Sequence, residues 1–517
     1  VDGGRRVKGS LMAVLSRTRA ALLRPATLVL AMVLGGSLLA LAYSGPLQRG
    51  LDLWTAGRSA EALAEFRRQE ATGELARLNR LIVEGESALA GEAGETRRRT
   101  LARVSADLAL LAQGGARKGL ALHHAGRFAV ASGDRDRGLR LLESAYRQEP
   151  KRQAFANRLL EHLMAGKESS RLRESARHHL DLRPDNPMAW YALGEAERRG
   201  GFPKRALSNW AKGIEVFPLR PMLEAAIPLA WSQGRKDLAK NWLEILRFRY
   251  GRPGSGISLE AWCDSLGLKA VLASLPPDVE SRRYADRFSE FFPPGREWTY
   301  KVRYGILPLG QLKVGVKGRE DIRVGDTRQE AWRVYYKIDS NPAYRVLIDL
   351  HDTYEALIPA HCLHSQEFVL HSREGEDRSD RIYSFDSERQ RFIARGYHRE
   401  GDVFREELPL ARQVFDGLSL LFAARRQVRE GRYGTVLTIV DEEVHKTEIR
   451  HKGRSTAKIM DRPRKVVDIH GQADYQGIAG LTGEFWGQFS DDKEALPLAA
   501  RFQIKVGKIT LELSDVH

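Results

Sequence analysis

Two periods divide the chain. From Tyr43 to about Pro253 apolar residues recur every three or four positions, as on one face of a helix, whereas from 296 onward they alternate with polar ones, as along a strand. In the first region Pro150, Pro184 and Pro218 stand 34 residues apart. A fixed spacing of this size marks a stack of supersecondary units. In the unit beginning at Pro187, Trp190, Leu193 and Gly194 fall in a first helix, Gly201 in a turn, and Ala206, Trp210 and Gly213 in a second. Large side chains face small ones, which lets two helices approach closely. The units from Gly119, Gln153 and Pro221 and the stretch around Gly57, Ala62 and Phe66 repeat the theme, with His179 and Pro228 as departures. Pro228 is expected to kink or shorten its helix. Segment 77–115 is helical in pattern through Leu78, Leu81, Ile82, Leu101, Val104, Leu108 and Leu111, and the region has room for six units.

The second region holds β-rich runs at 298–304, 332–338, 381–385, 434–440 and 501–506, bounded by Gly, Asp, Asn and Pro. One helix is predicted there, over 410–429. Between the regions, 251–256 is incompatible with a helix, and Pro276-Pro277 and Pro293-Pro294 punctuate a joint that carries an amphipathic segment with Tyr284 and Phe288. The expected fold class is multidomain α + β, an N-terminal α-solenoid followed by an antiparallel, β-rich, half-barrel-like domain with one inserted helix. The boundaries are 1–45 for a basic segment and signal peptide or anchor, 46–256 for the repeats, 257–295 for the linker and 296–517 for the β domain.

The helical units resemble the tetratricopeptide repeat (TPR) family. The resemblance implies a groove lined by the first helix of each pair that holds a protein partner. Carried onto this chain, the groove positions are His123, Arg127, Asn157, Glu161, Tyr191, Glu195 and Arg198. The plain alternative for each is a solvated surface residue. The β region resembles the bacterial domain-of-unknown-function 3108 family through Trp298 to Gly305 with Gly310, Asp416 to Ser419 with Arg425, and Phe485-Trp486, Asp491-Asp492 and Leu496-Pro497. Members look like exported envelope proteins. Some features are similar to lipoprotein-carrier half-barrels, which implies a ligand of lipid-like or envelope-polymer kind.

Composition changes this picture little. Lys and Arg (83) outnumber Asp and Glu (67), a net charge of +16, but the signs are interspersed and favour solvated helices over a basic docking block. The uncharged run 25–42 follows Arg5, Arg6, Lys8, Arg17, Arg19 and Arg24. Its length is near the minimum of about 17 residues for a transmembrane helix, and Ala40-Leu41-Ala42 also suits signal cleavage. Either reading exports the bulk of the chain to the periplasm or cell envelope, with inner-membrane anchoring by 25–42 if the segment is retained, and this argues against nucleic acid as a partner. Cys263 and Cys362 define no disulfide framework.

Candidate chemistry is sparse. Asp416 reads as a capping residue, and Ser455 with Lys458 as a chance serine–lysine match. His351, His361, His364, His371 and Cys362 lack metal-ligand spacing, so neither a metal nor another cofactor is expected. The aromatic residues Tyr300, Tyr304, Trp332, Tyr336, Tyr383 and Trp486 are the β-domain ligand candidates. The functional expectation is an exported scaffold or adaptor whose array binds a protein and whose β domain binds the lipid-like or polymeric ligand. The rivals are a hydrolase or transferase acting on cell-wall or exported polysaccharide, and a structural assembly factor without a small ligand. Protease added to intact spheroplasts should digest most of the chain; full protection would contradict export.

Overall fold

The structure is a computed structural model that describes residues 47–517 apart from 116, 252, 255–256, 276–292, 294, 325–326, 345–348, 360–363, 387–390, 411–413, 441, 474–480 and 505–506. The apolar run 25–42 and the amphipathic joint segment lie outside the described residues. Among the described residues no helix is long and apolar enough to cross a membrane, so the transmembrane helix expected from the sequence has no counterpart there.

Twelve helices form six successive pairs. They are α1 (Gln48–Thr55) with α2 (Ser59–Gln69), α3 (Glu74–Ala90) with α4 (Glu95–Leu111), and α5 (Lys118–Ser132) with α6 (Arg135–Gln148). Then come α7 (Gln153–Met164) with α8 (Ser169–Leu182), α9 (Pro187–Arg199) with α10 (Pro203–Val216), and α11 (Arg220–Ser232) with α12 (Lys236–Tyr250). The first helices of neighbouring pairs touch, α3 on α5 and α7 on α9, and so share one face. Close approach depends on the glycines: a Cβ on Gly194 would lie 2.2 Å from the indole nitrogen of Trp210, which is fully buried. Gly85 leaves the same room for Phe128. Asn186 starts α9 by accepting the N–H groups of Met188 and Ala189, with Pro187 at the first helical position. Pro228 sits inside α11, which still runs 13 residues, as long as α9, so the expected shortening does not occur. Two short helices, α13 (Leu259–Ser265) and α14 (Lys269–Ala273), follow.

Fifteen strands then form one sheet. Its centre is the antiparallel pair β1 (Glu297–Tyr304) and β15 (Lys508–Val516). One arm meanders through β2 (Leu307–Val324), β3 (Thr327–Ser340), β4 (His351–Pro359), β5 (Glu367–Glu374), β6 (Asp377–Asp386) and β7 (Arg391–Tyr397) to β8 (Val403–Pro409). The other runs back through β14 (Pro497–Ile504), β13 (Leu481–Ser490), β12 (Arg462–Ala473), β11 (Glu443–Ile459) and β10 (Gly434–Val440) to β9 (Val414–Phe415). Among the described residues only the short β9 pairs parallel, on β10.

The half-barrel expected from the sequence is corrected here: the sheet is open, with β8 and β9 as its two edges and no ladder between them. The reason lies at β8. Its Phe404 carbonyl accepts the indole N–H of Trp54 at 3.1 Å and its Val403 N–H donates to Asn79 at 3.2 Å, so backbone groups that a closing ladder would use are taken by the helical array. The inserted helix, α15 (Ser419–Glu430), begins nine residues later than predicted. Val414 and Phe415 are buried in the bridge to β10, and Asp416 then accepts the N–H groups of Leu418 and Ser419 at 2.9 Å each, the capping role read from the sequence. Phe422 of α15 and Leu418 just before it pack in the same apolar core as Trp332, Phe392 and the last helices of the array.

Gly194→Ala should destabilise the chain by about 1–3 kcal/mol, because the methyl displaces buried Trp210. Gly114→Ala, at an exposed position where nothing lies within 4 Å, should change stability by no more than about 0.5 kcal/mol. Urea unfolding of both variants distinguishes the two.

Candidate functional site

The array packs its first helices on the β6–β8 end of the sheet. Besides its bond to Phe404, the Trp54 indole donates to the Gly396 carbonyl of β7 at 3.1 Å. Asn79, fully buried on α3, donates to the Gly401 carbonyl at 2.8 Å while accepting from Val403. Gln48 donates to the Tyr397 hydroxyl, and Arg117 to Asp402, whose other oxygen is 2.7 Å from the Nδ1 atom of His398. Burial alone would raise the Asp402 carboxyl, but His398 and Arg117 outweigh it and hold the group below the usual carboxylate range. Toward the other arm of the sheet, Arg183 lies 3.4 Å from Glu443 and Lys446 donates to the Glu215 carbonyl. Tyr397 and Val403 belong to the apolar core of α1–α5, so the seam is apolar inside and ionic at its rim.

The seven groove positions separate into two sets. His123 is buried against the sheet, and Arg127 pairs with buried Glu86 at 2.8 Å, with Arg405 of β8 4.0 Å from that same carboxylate. Asn157 accepts from Asn186, and Glu161 shares Arg158 with Glu406 of β8. This first set therefore faces the chain's own sheet. The second set does not. Tyr191, Glu195 and Arg198 line a pocket of about 560 Å³ with Met164, Glu224 and Pro228, walled by α7, α9 and α11. Glu195 accepts from Arg198 at 2.8 Å and from Arg199 at 2.7 Å; these bonds outweigh its burial and keep it ionised below its usual range. Burial pushes the nearby Glu224 up.

The six aromatic candidates of the β domain are placed differently. Tyr300, Trp332 and Tyr383 are buried in packed cores, Tyr300 donating to the Pro497 carbonyl at 2.8 Å. Tyr336 and Tyr383 are members of a cross-strand row with Tyr354 and Phe368 over β3–β6, ring centroids 4.4–6.0 Å apart. Tyr304 is half-buried beside Gly507, and Trp486 is half-buried between Arg501, Lys508 and His470. None of the six lines the cavities at the seam.

The remaining constellations are dispersed. Ser455 donates to Asp468 and Lys458 pairs with Asp461 on the exposed β11–β12 hairpin. His351 pairs with Asp339 and His371 with Asp380, while His361 and Cys362 lie outside the described residues. Among the described residues no group of His, Cys, Asp and Glu could hold a metal ion. Sequence reasoning missed Trp54, Asn79, Asp402 and Glu406, which have partners hundreds of positions away, and His398, whose partners Asp402 and Phe404 are near in sequence but matter only once the array is docked. Trp54 alone carried a signal, as a large aromatic residue beside Gly57 in the first, atypical unit.

The fold and seam define a helical-repeat protein docked on an open antiparallel sheet, with a groove suited to protein contacts. Residues 299–514 match the model of the family described as protein of unknown function (DUF3108). No curated protein matches the chain. Among solved structures, a TPR repeat-containing protein of Cytophaga hutchinsonii is similar at 14% identity and TM-score 0.30, over 42% of this chain and 80% of that one. MamA from Desulfovibrio magneticus is similar at 16% identity and TM-score 0.27, over 33% and 92%. A β-barrel-like DUF1849 protein from Brucella abortus is similar at 9% identity and TM-score 0.29, over 43% and 96%.

His123 and His124 at the seam are held well below their usual 6.5, first by burial and then by neighbouring positive charge. Their folded values are depressed, so their contribution to stability is present above 6.5 and lost as pH falls below it. Glu86 acts in the opposite sense, because burial raises it and its contribution is lost as pH rises through that raised value. With two histidines against one carboxylate, the urea midpoint should fall between about pH 7.5 and 5.5. His124→Gln should shrink that fall.

Proposed function

We propose that this is an exported interaction scaffold whose array is divided in use. The first part of the groove, at His123, Arg127, Asn157 and Glu161, clamps the chain's own β domain. The later part, at Tyr191, Glu195 and Arg198, receives a segment of a protein partner. The observation that carries this reading is the open pocket of about 560 Å³ at the second set, against the sheet-facing placement of the first. Its mixed lining suits an extended peptide: Tyr191 and Met164 offer apolar surface, and the Glu195–Arg198–Arg199 group offers fixed donors and acceptors. The role of the β domain in this reading is to brace the array. A lipid-like ligand within the β domain draws no support from the aromatic candidates, since Tyr300, Trp332 and Tyr383 are already packed.

A photo-reactive residue placed at 191 should capture a second protein in intact cells, and one placed at 123 should give only intramolecular links to the sheet. The Arg198→Gln variant, which keeps a donor beside Glu195 and leaves Arg199 on it, should weaken the captured pair about tenfold with only a small change in thermal stability. Links from 123 to another protein and none from 191 would overturn the division.

A further inference from the structure

The seam between array and sheet encloses a second cavity, separate from the Tyr191 pocket. Its volume is about 360 Å³, and it opens into a vestibule of about 630 Å³ with which it shares Leu120, Lys151, Arg152 and His398. Volumes of this order hold small molecules. Each wall carries an aromatic stack. On the array, the His123 ring lies 4.5 Å from Phe155 at an interplanar angle of 18°, and the Arg152 guanidinium lies 4.5 Å from the centre of that same Phe155 ring. On the sheet, His398 lies 4.6 Å from Phe404 at 26°. All five residues line the cavity.

The charges of the lining are matched internally. Arg158 pairs with Glu161 and Glu406, and Arg183 with Asp185 and Glu443. From behind the wall Arg381 pairs with Glu442 and Arg391 with Glu407. Four guanidinium groups thus serve these six carboxylates, and Lys151 and Arg152 add two more positive charges to the lining, so the charge around the cavity is close to balanced. One polar side chain is left over. His123 is 2% exposed, and among the described residues neither of its ring nitrogens has a hydrogen-bond partner. An imidazole so enclosed is destabilising while its bonds are unmade, so its nitrogens mark where a ligand's donor and acceptor belong. Buried as it is, the ring stays neutral, with one nitrogen donating and the other accepting.

We propose that this cavity binds a neutral, polyhydroxylated ring: a sugar unit of an oligosaccharide. A pyranose presents C–H faces that settle on apolar surface, here Met188, Val216, Leu408 and Val444, and hydroxyls that each donate and accept, which a neutral His123 matches. Glu161 and Glu406 then accept from hydroxyls while Arg158 holds both. Because one guanidinium fixes the two carboxylates, the arrangement serves binding, and hydrolysis of the sugar is not part of the proposal. The site rests on the seam alone and is independent of a partner at Tyr191.

Saturation-transfer NMR on the full described chain tests it, with glucose, N-acetylglucosamine and their short oligomers as neutral probes, and glucose 6-phosphate, spermidine and adenosine as counter-probes. A neutral sugar should show transfer, and the counter-probes little. His123→Leu should weaken sugar binding about tenfold, the equivalent of a lost buried hydrogen bond. Arg152→Ala, at the mouth shared with the vestibule and away from the core, should weaken it severalfold through the lost guanidinium donor, so a folding defect in His123→Leu does not decide the matter. Tyr191→Ala should leave it unchanged. Absence of transfer from every neutral sugar, a preference for any counter-probe, or sugar binding indifferent to both His123→Leu and Arg152→Ala would overturn the proposal.

Discussion

The structure depends on how one edge strand meets its hydrogen-bond requirements. An open sheet of fifteen strands has two edges, and an exposed edge is a template for further pairing. The β9 edge is two residues long and runs directly into α15. The β8 edge is longer, and the array supplies what a sixteenth strand would have given: the Trp54 indole for the carbonyl of Phe404, and the Asn79 amide for Val403 and Gly401. Side chains from two helices thus stand in for a strand. Once they are seated, Tyr397 and Val403 complete the core of the early helices, and the two domains share buried surface.

That arrangement reassigns the repeat groove. A stack of helix pairs exposes the faces of its first helices, and such a face takes whatever complementary surface reaches it. Here the nearest surface is the chain's own sheet. Intramolecular docking costs far less translational freedom than capture of a separate molecule. The early pairs, whose repeat residues are degenerate, carry the residues fitted to this sheet, among them Asn79, Glu86 and Arg117. The best-formed pair, from Pro187, keeps its groove face at the pocket of Tyr191, Glu195 and Arg198.

The seam also accounts for the unusual ionic lining between the domains. Histidines, arginines and carboxylates at a docking surface fix register and reject wrong partners, at the cost of desolvation. Here four guanidinium groups from both sides serve six carboxylates, while the ring nitrogens of His123 have no partner among the described residues. A surface that needed only to close would have no use for a buried imidazole without partners.

By itself the sequence determined what rests on local periodicity. The 34-residue proline spacing, the glycines opposite Trp210 and the alternation after 296 are short-range consequences of helix and strand geometry, and they located the paired helices, the β-rich region and the Asp416 cap. It misjudged α15, because an apolar run cannot show that Val414 and Phe415 are drawn into a bridge with β10. It misjudged the curvature of the sheet, since closure is decided where β8 meets Trp54, some 350 residues earlier in the chain. Tertiary structure alone decided which groove residues face solvent, which aromatic residues are core, and that array and sheet enclose a cavity. The physical reason is common to all three. Burial and hydrogen-bond satisfaction depend on partners far away in sequence, and no period along the chain records them.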